Sequence, residues 1–312
     1  MRPFHLNHRD RLVAYPTLES GARAGDLSPN AGFTMPNPIS PEAARARSKA
    51  NFDTIATEYD GLRFVHRCAT RLVELAPLES GMRVLDLATG TALVASLVAP
   101  KVRASGRVVG VDFSKKMLIQ ARARLNSLHL GWVELLEADA AQLPFADSSF
   151  ECVLCASSLM FMPDMSAVLL EARRVLVPGG RLGFTGFGAG FLEPLHTLWK
   201  ERLAVHGVPL PPLPMSRLAD PVVCRNLLLK AGFEKVELHS EQLGYWLGQA
   251  EDRWQEIRVG LEGLPLSKMV PQGREQIELE HLNELRPLEG EKGLWVDLPV
   301  NFAFGTRGTS NS

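Results

Sequence analysis

The sequence predicts an α/β protein built on a mostly parallel sheet of seven strands, with helices on both faces and a helical cap. From about residue 82 onward, short runs rich in β-branched and aromatic residues alternate with helical patterns, which is typical of strands joined by crossover helices. The first run ends in an acid and a tight turn, VLDLATGTA at residues 84–92. Beyond residue 190 the alternation loosens into further helices, which we expect to cover the functional edge of the sheet.

The predicted elements follow one another with short connections. Strands are expected at 82–88, 107–113, 132–138, 150–156, 180–187, 233–240 and 294–305. Helices are expected near 62–75, 92–100, 114–128, 164–176, 191–206, 221–231, 249–262 and 272–286. An earlier helix begins at Ser40-Pro41-Glu42, because serine caps a helix, proline suits its first position and an acid favours its first turn.

Composition limits the classes of function that fit this chain. Its 312 residues carry a formal net charge of −1, so no overall field favours nucleic acid or an anionic membrane. No run approaches the roughly 18 apolar residues of a membrane span, and the N-terminus lacks the apolar core of a signal peptide. Cys152 and Cys155 lie three apart on a strand, so they point to opposite faces. We therefore expect structural thiols, no metal site and a reducing, cytoplasmic compartment.

The turn after the first strand argues against a dinucleotide ligand. A pyrophosphate-binding turn needs several glycines so that the backbone can approach the phosphates. This turn keeps only Gly90, and Ala88 and Ala92 stand where glycine is usual. A ligand with one nucleoside, an amino-acid end and no phosphate needs less clearance.

Three acids end three successive predicted strands. They are Asp86, Asp112 and Asp139, and the carboxyl ends of parallel strands meet at one edge of a sheet. A carboxylate in the position of Asp112 can accept both hydroxyls of a ribose. An acid at a strand end can also cap the next helix, so each one alone leaves both interpretations open. The three together are more specific.

These motifs, with VVGVDFSKKML, EADAAQLPFADSSFECV and EARRVLVPGGRL, resemble the class I S-adenosylmethionine-dependent methyltransferases. The branch they resemble most contains the ubiquinone/menaquinone-biosynthesis enzymes. The likeness runs from about Asn51 to Phe187. It implies a Rossmann-like sheet, S-adenosyl-L-methionine as cofactor and methyl transfer to a small molecule.

The resemblance also implies roles for individual residues. Residues 88–90 would cradle the methionine part of the cofactor, Asp112 would bind the ribose, and Asp139 would meet the adenine amine. Tyr59, placed in the N-terminal helix, would close over the methionine end. The full set of expected cofactor-binding residues is Tyr59, Asp86, Ala88, Thr89, Gly90, Asp112, Phe113, Met117, Asp139, Ala140 and Ser157. Ala88 and Ala92 depart from the commoner glycine of the family.

The acceptor side is expected after the fifth strand. His196 is the candidate catalytic base, the alternative being an ordinary histidine on an amphipathic helix. Phe161 and Met162 are candidates to border the substrate, and Tyr245 and Trp246 would form an aromatic wall or else pack in the core. The apolar, proline-rich cover favours a hydrophobic or aromatic acceptor over a sugar or a phosphate ester. A base is needed only for a hydroxyl or a protonated amine.

The predicted organisation has three parts. Residues 1–39 are expected to form a flexible arm, residues 40–190 the cofactor-binding core with its N-terminal helices, and residues 191–312 the rest of the core with the helical substrate cap. The expected partner is a small-molecule methyl acceptor, with no nucleic acid and no membrane span; a homo-oligomer is left open.

Three other functions are alternatives to this one. A nucleic-acid or protein methyltransferase is the first alternative, but the segment CASSLMFMPD lacks the Pro-Pro-aromatic element of the amino-methylases. A nicotinamide oxidoreductase is disfavoured by the single-glycine turn. A protein of the same fold that steers a cyclisation, or that binds the cofactor without turnover, is not separated by sequence.

Overall fold

A computed structural model describes residues 40–309; the arm predicted for residues 1–39 lies outside this part of the chain. The main sheet contains β1 (Arg83–Leu87), β2 (Arg107–Asp112), β3 (Glu134–Glu137), β4 (Phe150–Cys155), β5 (Leu176–Phe187), β6 (Phe233–Gln242) and β9 (Pro299–Arg307). Their order is β3-β2-β1-β4-β5-β9-β6, and β9 alone runs antiparallel to its two neighbours. The predicted seven-stranded, mostly parallel sheet is confirmed.

The helices in this range lie close to the predicted segments. They are α1 (Pro41–Ile55), α2 (Arg63–Leu75), α3 (Leu93–Val102), α4 (Lys115–Ser127), α5 (Met165–Val175), α6 (Leu195–Val205), α7 (Pro221–Lys230), α8 (Ala250–Val259) and α9 (Pro271–Leu285). Short 3-10 turns occupy Tyr59–Gly61, Leu159–Phe161, Pro214–Leu218, Leu261–Lys268 and Arg286–Leu288.

Side-chain caps set several helix starts. The Ser40 hydroxyl accepts a hydrogen bond from the Ala43 N–H, which confirms the predicted start of α1. The Ser114 hydroxyl caps α4 in the same way, accepting from Met117. At the other end of α7, Gly232 takes a φ of +80°, a left-handed conformation that glycine adopts without strain. These ends are local properties of the sequence.

The prediction of a single last strand over 294–305 is wrong. β8 (Leu294–Val296) pairs with β7 (Tyr245–Leu247) in a separate two-stranded sheet, and only β9 joins the main sheet. The break falls at Asp297, whose carboxylate accepts hydrogen bonds from the Trp295 indole at 3.1 Å and the Gln242 amide at 3.0 Å. Pro299 then begins β9, a position where its missing N–H does least harm.

The core lies on the central strands. β1 and β4 are buried along nearly their whole length, and so is β2 after its first residue. Cys152 and Cys155 are free and buried there. Burial raises the pKa of the Cys152 thiol to about 12, so that thiol stays neutral.

The strand order reverses between β1 and β4. From β1 the sheet continues through β2 and β3 on one side, and from β4 it continues through β5 on the other. In open parallel sheets a ligand binds outside the carboxyl ends of the strands at this reversal. Asp86 stands opposite Gly110 and Leu154 in the register, and Asp112 stands opposite Glu137. The topology therefore brings the strand ends that carry the predicted carboxylates to one edge.

Candidate functional site

A cavity opens at this edge of the sheet. Its lining includes every residue predicted to bind cofactor: Tyr59, Asp86, Ala88, Thr89, Gly90, Asp112, Phe113, Met117, Asp139, Ala140 and Ser157. Phe161 and Met162, predicted to border the substrate, also line it. We call it the first cavity.

The turn after β1 is built from left-handed residues. Ala88, Gly90 and Ala92 have φ values of +56°, +56° and +61°. Alanine in this conformation costs roughly 1–2 kcal/mol, so the turn carries strain that glycine would relieve. Ala92 is fully buried as the residue that precedes α3 and is not among the residues lining the first cavity. Its methyl group therefore does not narrow the first cavity.

Gly90 keeps the space above the turn open. A Cβ built there would lie 3.9 Å from the Tyr59 ring, and the positive φ would add strain. A longer side chain would extend between the turn and Tyr59. Glycine at this position avoids the backbone strain that Ala88 and Ala92 carry at similar φ values.

Asp86 supports the turn from below. One of its carboxylate oxygens accepts hydrogen bonds from the Thr89 hydroxyl at 2.6 Å and the Ala95 N–H at 2.9 Å. Burial raises its pKa to about 7, although both hydrogen bonds favour the ionised form. Its charge therefore depends on what occupies the first cavity.

Asp112 is held by backbone amides on both sides. Its Oδ2 accepts from the Gly90 N–H and its Oδ1 from the Ser114 N–H, each at 2.9 Å. Burial raises its pKa, and the Lys49 ammonium opposes that shift. A carboxylate oxygen can accept more than one hydrogen bond, so both oxygens retain capacity for a ligand.

Helix α1 lies across this edge of the sheet, which sequence reasoning missed. The Arg45 guanidinium lies 2.8 Å from the Asp139 carboxylate, and the Lys49 ammonium donates to the Phe113 carbonyl at 2.7 Å. Arg45, Ser48 and Phe52 line the first cavity. The basic residues of α1 gave no signal of this, since their targets lie on distant strand ends.

The sequence predicts Tyr59 in the N-terminal helix, but α1 ends at Ile55 and Tyr59 lies beyond it. It begins the 3-10 turn Tyr59–Gly61. Asp60 fixes this turn by accepting from the Thr91 hydroxyl at 2.6 Å and pairing with Arg124 at 2.5 Å. Burial raises the pKa of the Tyr59 phenol well above its ordinary value. The Tyr59 phenol is therefore neutral, and the adjacent Asp60 holds its segment against the turn after β1.

A second cavity adjoins the first. The two share Phe52, Tyr59, Val65, Ser157 and Phe161. Further aromatic side chains surround the second cavity and pack on one another, with ring centroids 4.0 Å apart for Phe187–Phe191, 5.6 Å for Phe64–Phe187 and 5.1 Å for Phe52–Phe161. Sequence reasoning missed Phe52, Phe64, Phe187 and Phe191. The sequence FGAGF directly after β5 was a usable signal, since glycines between aromatics at a strand end leave room for a ligand.

Ser157 lies where the two cavities meet. It has a φ of +51°, which is unusual for a residue with a side chain, and its N–H donates to the Thr185 hydroxyl at 2.7 Å. Its own hydroxyl is buried with no hydrogen-bond partner in the described part of the chain. An unpaired buried hydroxyl is costly, so a ligand is a suitable partner for it.

Part of the wall of the second cavity is polar. His196, Glu193, Glu256 and Glu262 line it. His196 Nδ1 lies 2.8 Å from Glu262 Oε1, and this carboxylate raises the pKa of the imidazole. The structure therefore places the predicted base in the second cavity and not among the residues lining the first.

Neither Tyr245 nor Trp246 lines either cavity, and Tyr245 packs in the core, the alternative that the sequence left open. The Tyr245 hydroxyl donates to the Glu256 carboxylate at 2.9 Å. Glu256 lines the second cavity, so Tyr245 lies behind Glu256. Trp246 is 46% exposed and contacts Trp295 with ring centroids 5.0 Å apart. Pairing of β7 with β8 rather than with the main sheet puts them there.

Residues 40–309 contain neither a cluster suited to a metal ion nor a helix suited to a membrane. No group of three or more histidine, cysteine, aspartate or glutamate side chains in that range is placed to hold a metal ion. None of the helices described there has both the length and the apolar content that a membrane crossing requires.

Comparison with known proteins agrees with this geometry. A family model described as a methyltransferase domain matches residues 85–184. The chain is 30% identical over 229 residues to the ubiquinone/menaquinone biosynthesis C-methyltransferase UbiE of Pseudomonas putida, covering 65% of this chain and 88% of that protein.

Two solved structures share the fold. The YcgJ protein of Bacillus subtilis is 20% identical, with a TM-score of 0.53, covering 78% of this chain and 100% of that one. A phosphoethanolamine N-methyltransferase of Haemonchus contortus, solved with S-adenosylhomocysteine, is 20% identical, with a TM-score of 0.51, covering 88% of this chain and 61% of that one.

Proposed function

Since this chain belongs to the S-adenosylmethionine-dependent methyltransferases that include the ubiquinone/menaquinone-biosynthesis enzymes, we propose that it methylates a small hydrophobic or aromatic metabolite. Its cofactor is S-adenosyl-L-methionine. The observation that carries the acceptor class is the second cavity, which adjoins the first and is surrounded by aromatic side chains, with polar residues in part of its wall. Residues 40–190 would bind the cofactor, and residues 191–312 would complete the core and cap the acceptor.

The residues of the first cavity fit this cofactor. The turn at residues 88–90 is open above Gly90, Asp112 offers carboxylate oxygens to a ribose, and Ser157 offers an unpaired hydroxyl at the junction of the cavities. When bound, the cofactor supplies a methyl group on a positively charged sulfur. The chain's own contribution is to align the acceptor and keep water out.

The second cavity is large enough for an aromatic ring. Its volume is about 260 Å³, whereas an apolar cavity of roughly 150 Å³ holds one benzene molecule in another protein. Offset and edge-to-face contacts with Phe187, Phe191 and Phe64 would favour an aromatic ring.

His196 would act as general base at the polar wall. It lines the second cavity but not the first, so a ring hydroxyl that gives it a proton lies apart from the atom that faces the cofactor. The negative charge left on the oxygen spreads to the ring carbons ortho and para to it. This arrangement favours a carbon acceptor, in line with the C-methyltransferase named above.

The first test is binding and blockage of each cavity. Calorimetry is expected to show S-adenosylhomocysteine binding, and no binding up to millimolar concentration would contradict the proposal. Leu213→Trp, in the second cavity only, is expected to keep that affinity while raising KM for a hydroxylated aromatic acceptor several-fold, because the indole fills acceptor space. Leu210→Trp is the matched control, because Leu210 lies in the same segment between α6 and α7 and lines neither cavity.

Product analysis separates the alternatives. Mass spectrometry of reactions with one- and two-ring phenols is expected to show the gain of one methyl group. A rearranged product without that gain would favour a cyclisation, and salt-sensitive filter binding of bulk RNA or DNA would favour a nucleic-acid substrate.

Cofactor affinity is expected to rise with pH. Asp86 has a pKa of about 7, and a cationic ligand in the same cavity favours its ionised form. Binding then releases a proton, so affinity increases as pH rises through that value and levels off above it. The change should be roughly five- to tenfold between about pH 6 and pH 8.

Calorimetry with S-adenosylmethionine at several pH values checks this. Asp86→Asn, which cannot ionise, should bind with a flatter profile, and S-adenosylhomocysteine, which lacks the sulfonium charge, should depend less on pH. Identical profiles for the parent and Asp86→Asn would show that Asp86 does not titrate on binding.

A further inference from the structure

A buried charged cluster lies behind His196, built from three elements of the cap. Glu262, on the 3-10 turn Leu261–Lys268, is 6% exposed, and Arg253, on α8, is 1% exposed. Glu262 Oε1 lies 2.8 Å from His196 Nδ1, and Glu262 Oε2 accepts from Arg253 Nη2 at 2.6 Å. The Trp199 indole donates to the Glu262 carbonyl at 3.0 Å. Glu262 is therefore held on three sides.

The hydrogen bond from His196 to Glu262 determines the tautomer of the imidazole. An ionised carboxylate only accepts hydrogen bonds, so Nδ1 must carry the hydrogen. In the neutral ring Nε2 then has the free lone pair, and Nε2 has no protein partner within residues 40–309. Since His196 lines the second cavity, its basic nitrogen is the one left for a ligand.

We propose that Glu262 is a positioning residue, locked by Arg253, that presents His196 Nε2 to the second cavity as the proton acceptor for an acidic hydroxyl on the methyl acceptor. This inference rests on the proposed function for its substrate. The proton moves from the hydroxyl oxygen to Nε2, and the imidazolium formed is stabilised by Glu262. His196 returns that proton to the same oxygen when the methylated ring loses a proton to water.

The charges around the cluster fit this role. Burial alone would raise the pKa of Glu262, but Arg253 and His196 lower it to about 2, so it is ionised throughout the neutral range. Glu262 raises the pKa of His196; burial opposes the shift, Glu193 adds to it, and Arg253 again opposes it. The pKa of His196 is thus set mainly by the near carboxylate, which raises it, and by burial, which lowers it, with a smaller opposing contribution from Arg253.

The remaining titratable groups nearby are otherwise engaged. Glu256 of α8 lines the same cavity but accepts from the Tyr245 hydroxyl at 2.9 Å. His281 of α9 faces Arg253 and Glu262 from the other side, and burial lowers its pKa, which favours the neutral ring. Neither replaces Glu262 at Nδ1 of His196.

The cluster is more than a stabilising ion pair. A buried ion pair that only joins two helices adds little net stability, because removing both charges from water can cost as much free energy as their attraction supplies. Here its third member is a histidine on a cavity wall, and the hydrogen bond spans 66 positions of sequence. This is how a carboxylate orients a histidine base in hydrolytic enzymes.

The test measures His196 directly and by turnover. Imidazole resonances assigned by NMR in the free protein give the titration midpoint and tautomer of His196 without any acceptor. The pH profile of kcat/KM with a phenolic acceptor gives the pKa of the same group from catalysis. Glu262→Gln is expected to lower the NMR midpoint, move the acid limb of the profile to lower pH and reduce the plateau about tenfold, since a weaker base transfers protons less well.

Two more variants keep the test informative if Glu262→Gln fails to fold. Glu262→Asp retains the charge and should restore much of the plateau, while Arg253→Met removes the opposing cation and should raise the midpoint. Glu280→Gln is the matched control: Glu280 lies 2.7 Å from His206 and lines neither cavity, so this change should leave the His196 midpoint and the rate unchanged.

The outcomes are distinct. A folded Glu262→Gln protein whose His196 midpoint, tautomer and acid limb are unmoved would overturn the inference, as would a uniform rate loss at all pH values. If the midpoints shift as expected but the parent protein transfers no methyl group to any phenol, the positioning of His196 is supported and a phenolic acceptor is contradicted.

Discussion

His196→Ala is expected to lower kcat by roughly 10²- to 10⁴-fold, the usual contribution of a general base. The affinity for S-adenosylhomocysteine should not change, because His196 lines the second cavity and not the first. Steady-state kinetics with a phenolic acceptor and calorimetry with the cofactor product measure the two effects separately. Loss of both together would indicate general damage to the cap rather than loss of a base.

His206→Ala is the control for this substitution. His206 follows the same helix and also pairs with a glutamate, Glu280 at 2.7 Å, but it lines neither cavity. Its removal should leave kcat within about twofold, as for most changes away from a site. If His196→Ala behaves like His206→Ala, the acceptor needs no base, and the assignment of His196 is wrong while methyl transfer stands.

Asp112→Ala is expected to weaken cofactor binding by about 1.5–3 kcal/mol, the range for hydrogen bonds to a charged group. Its carboxylate is held at the first cavity by the Gly90 and Ser114 amides, so part of the loss will come from a looser turn. Asp112→Asn keeps an acceptor oxygen and should fall between the parent and Asp112→Ala. Calorimetry with S-adenosylhomocysteine checks this order.

Glu137→Ala provides the comparison for Asp112. Glu137 stands opposite Asp112 in the register at the end of β3, but it is exposed and does not line the first cavity. Its substitution should leave cofactor affinity unchanged. An Asp112→Ala protein with the affinity of Glu137→Ala would mean that the Asp112 carboxylate does not contact the cofactor.

Features set by neighbouring residues could be predicted from the sequence. The alternation of strand and helix follows from hydrophobic periodicity, and the start of α1 at Ser40 and the end of α7 at Gly232 follow from local capping. Asp86 and Asp112 converge because parallel strands bring their carboxyl ends to one edge. The strand-end part of the first cavity was therefore predictable, whereas Arg45, Ser48 and Phe52 of α1 were not, and the cofactor contacts of the predicted residues stay predictions.

The second cavity depends on contacts between distant parts of the chain. Phe52 and Phe64 come from the N-terminal helices, while Phe187 ends β5 and Phe191 follows it. No pattern at any one of these positions indicates a shared wall. The same holds for Tyr245 and Trp246, whose aromatic character was clear but whose place depended on β7 pairing with β8.

The sequence by itself determined the sheet, the turn at Gly90 and the edge where the acids meet, because each follows from local periodicity or from strand direction. Only the tertiary structure decided which side chains face the acceptor and that His196 is paired with Glu262. The physical reason is that these contacts join segments far apart in the chain, and packing, not local pattern, selects such partners.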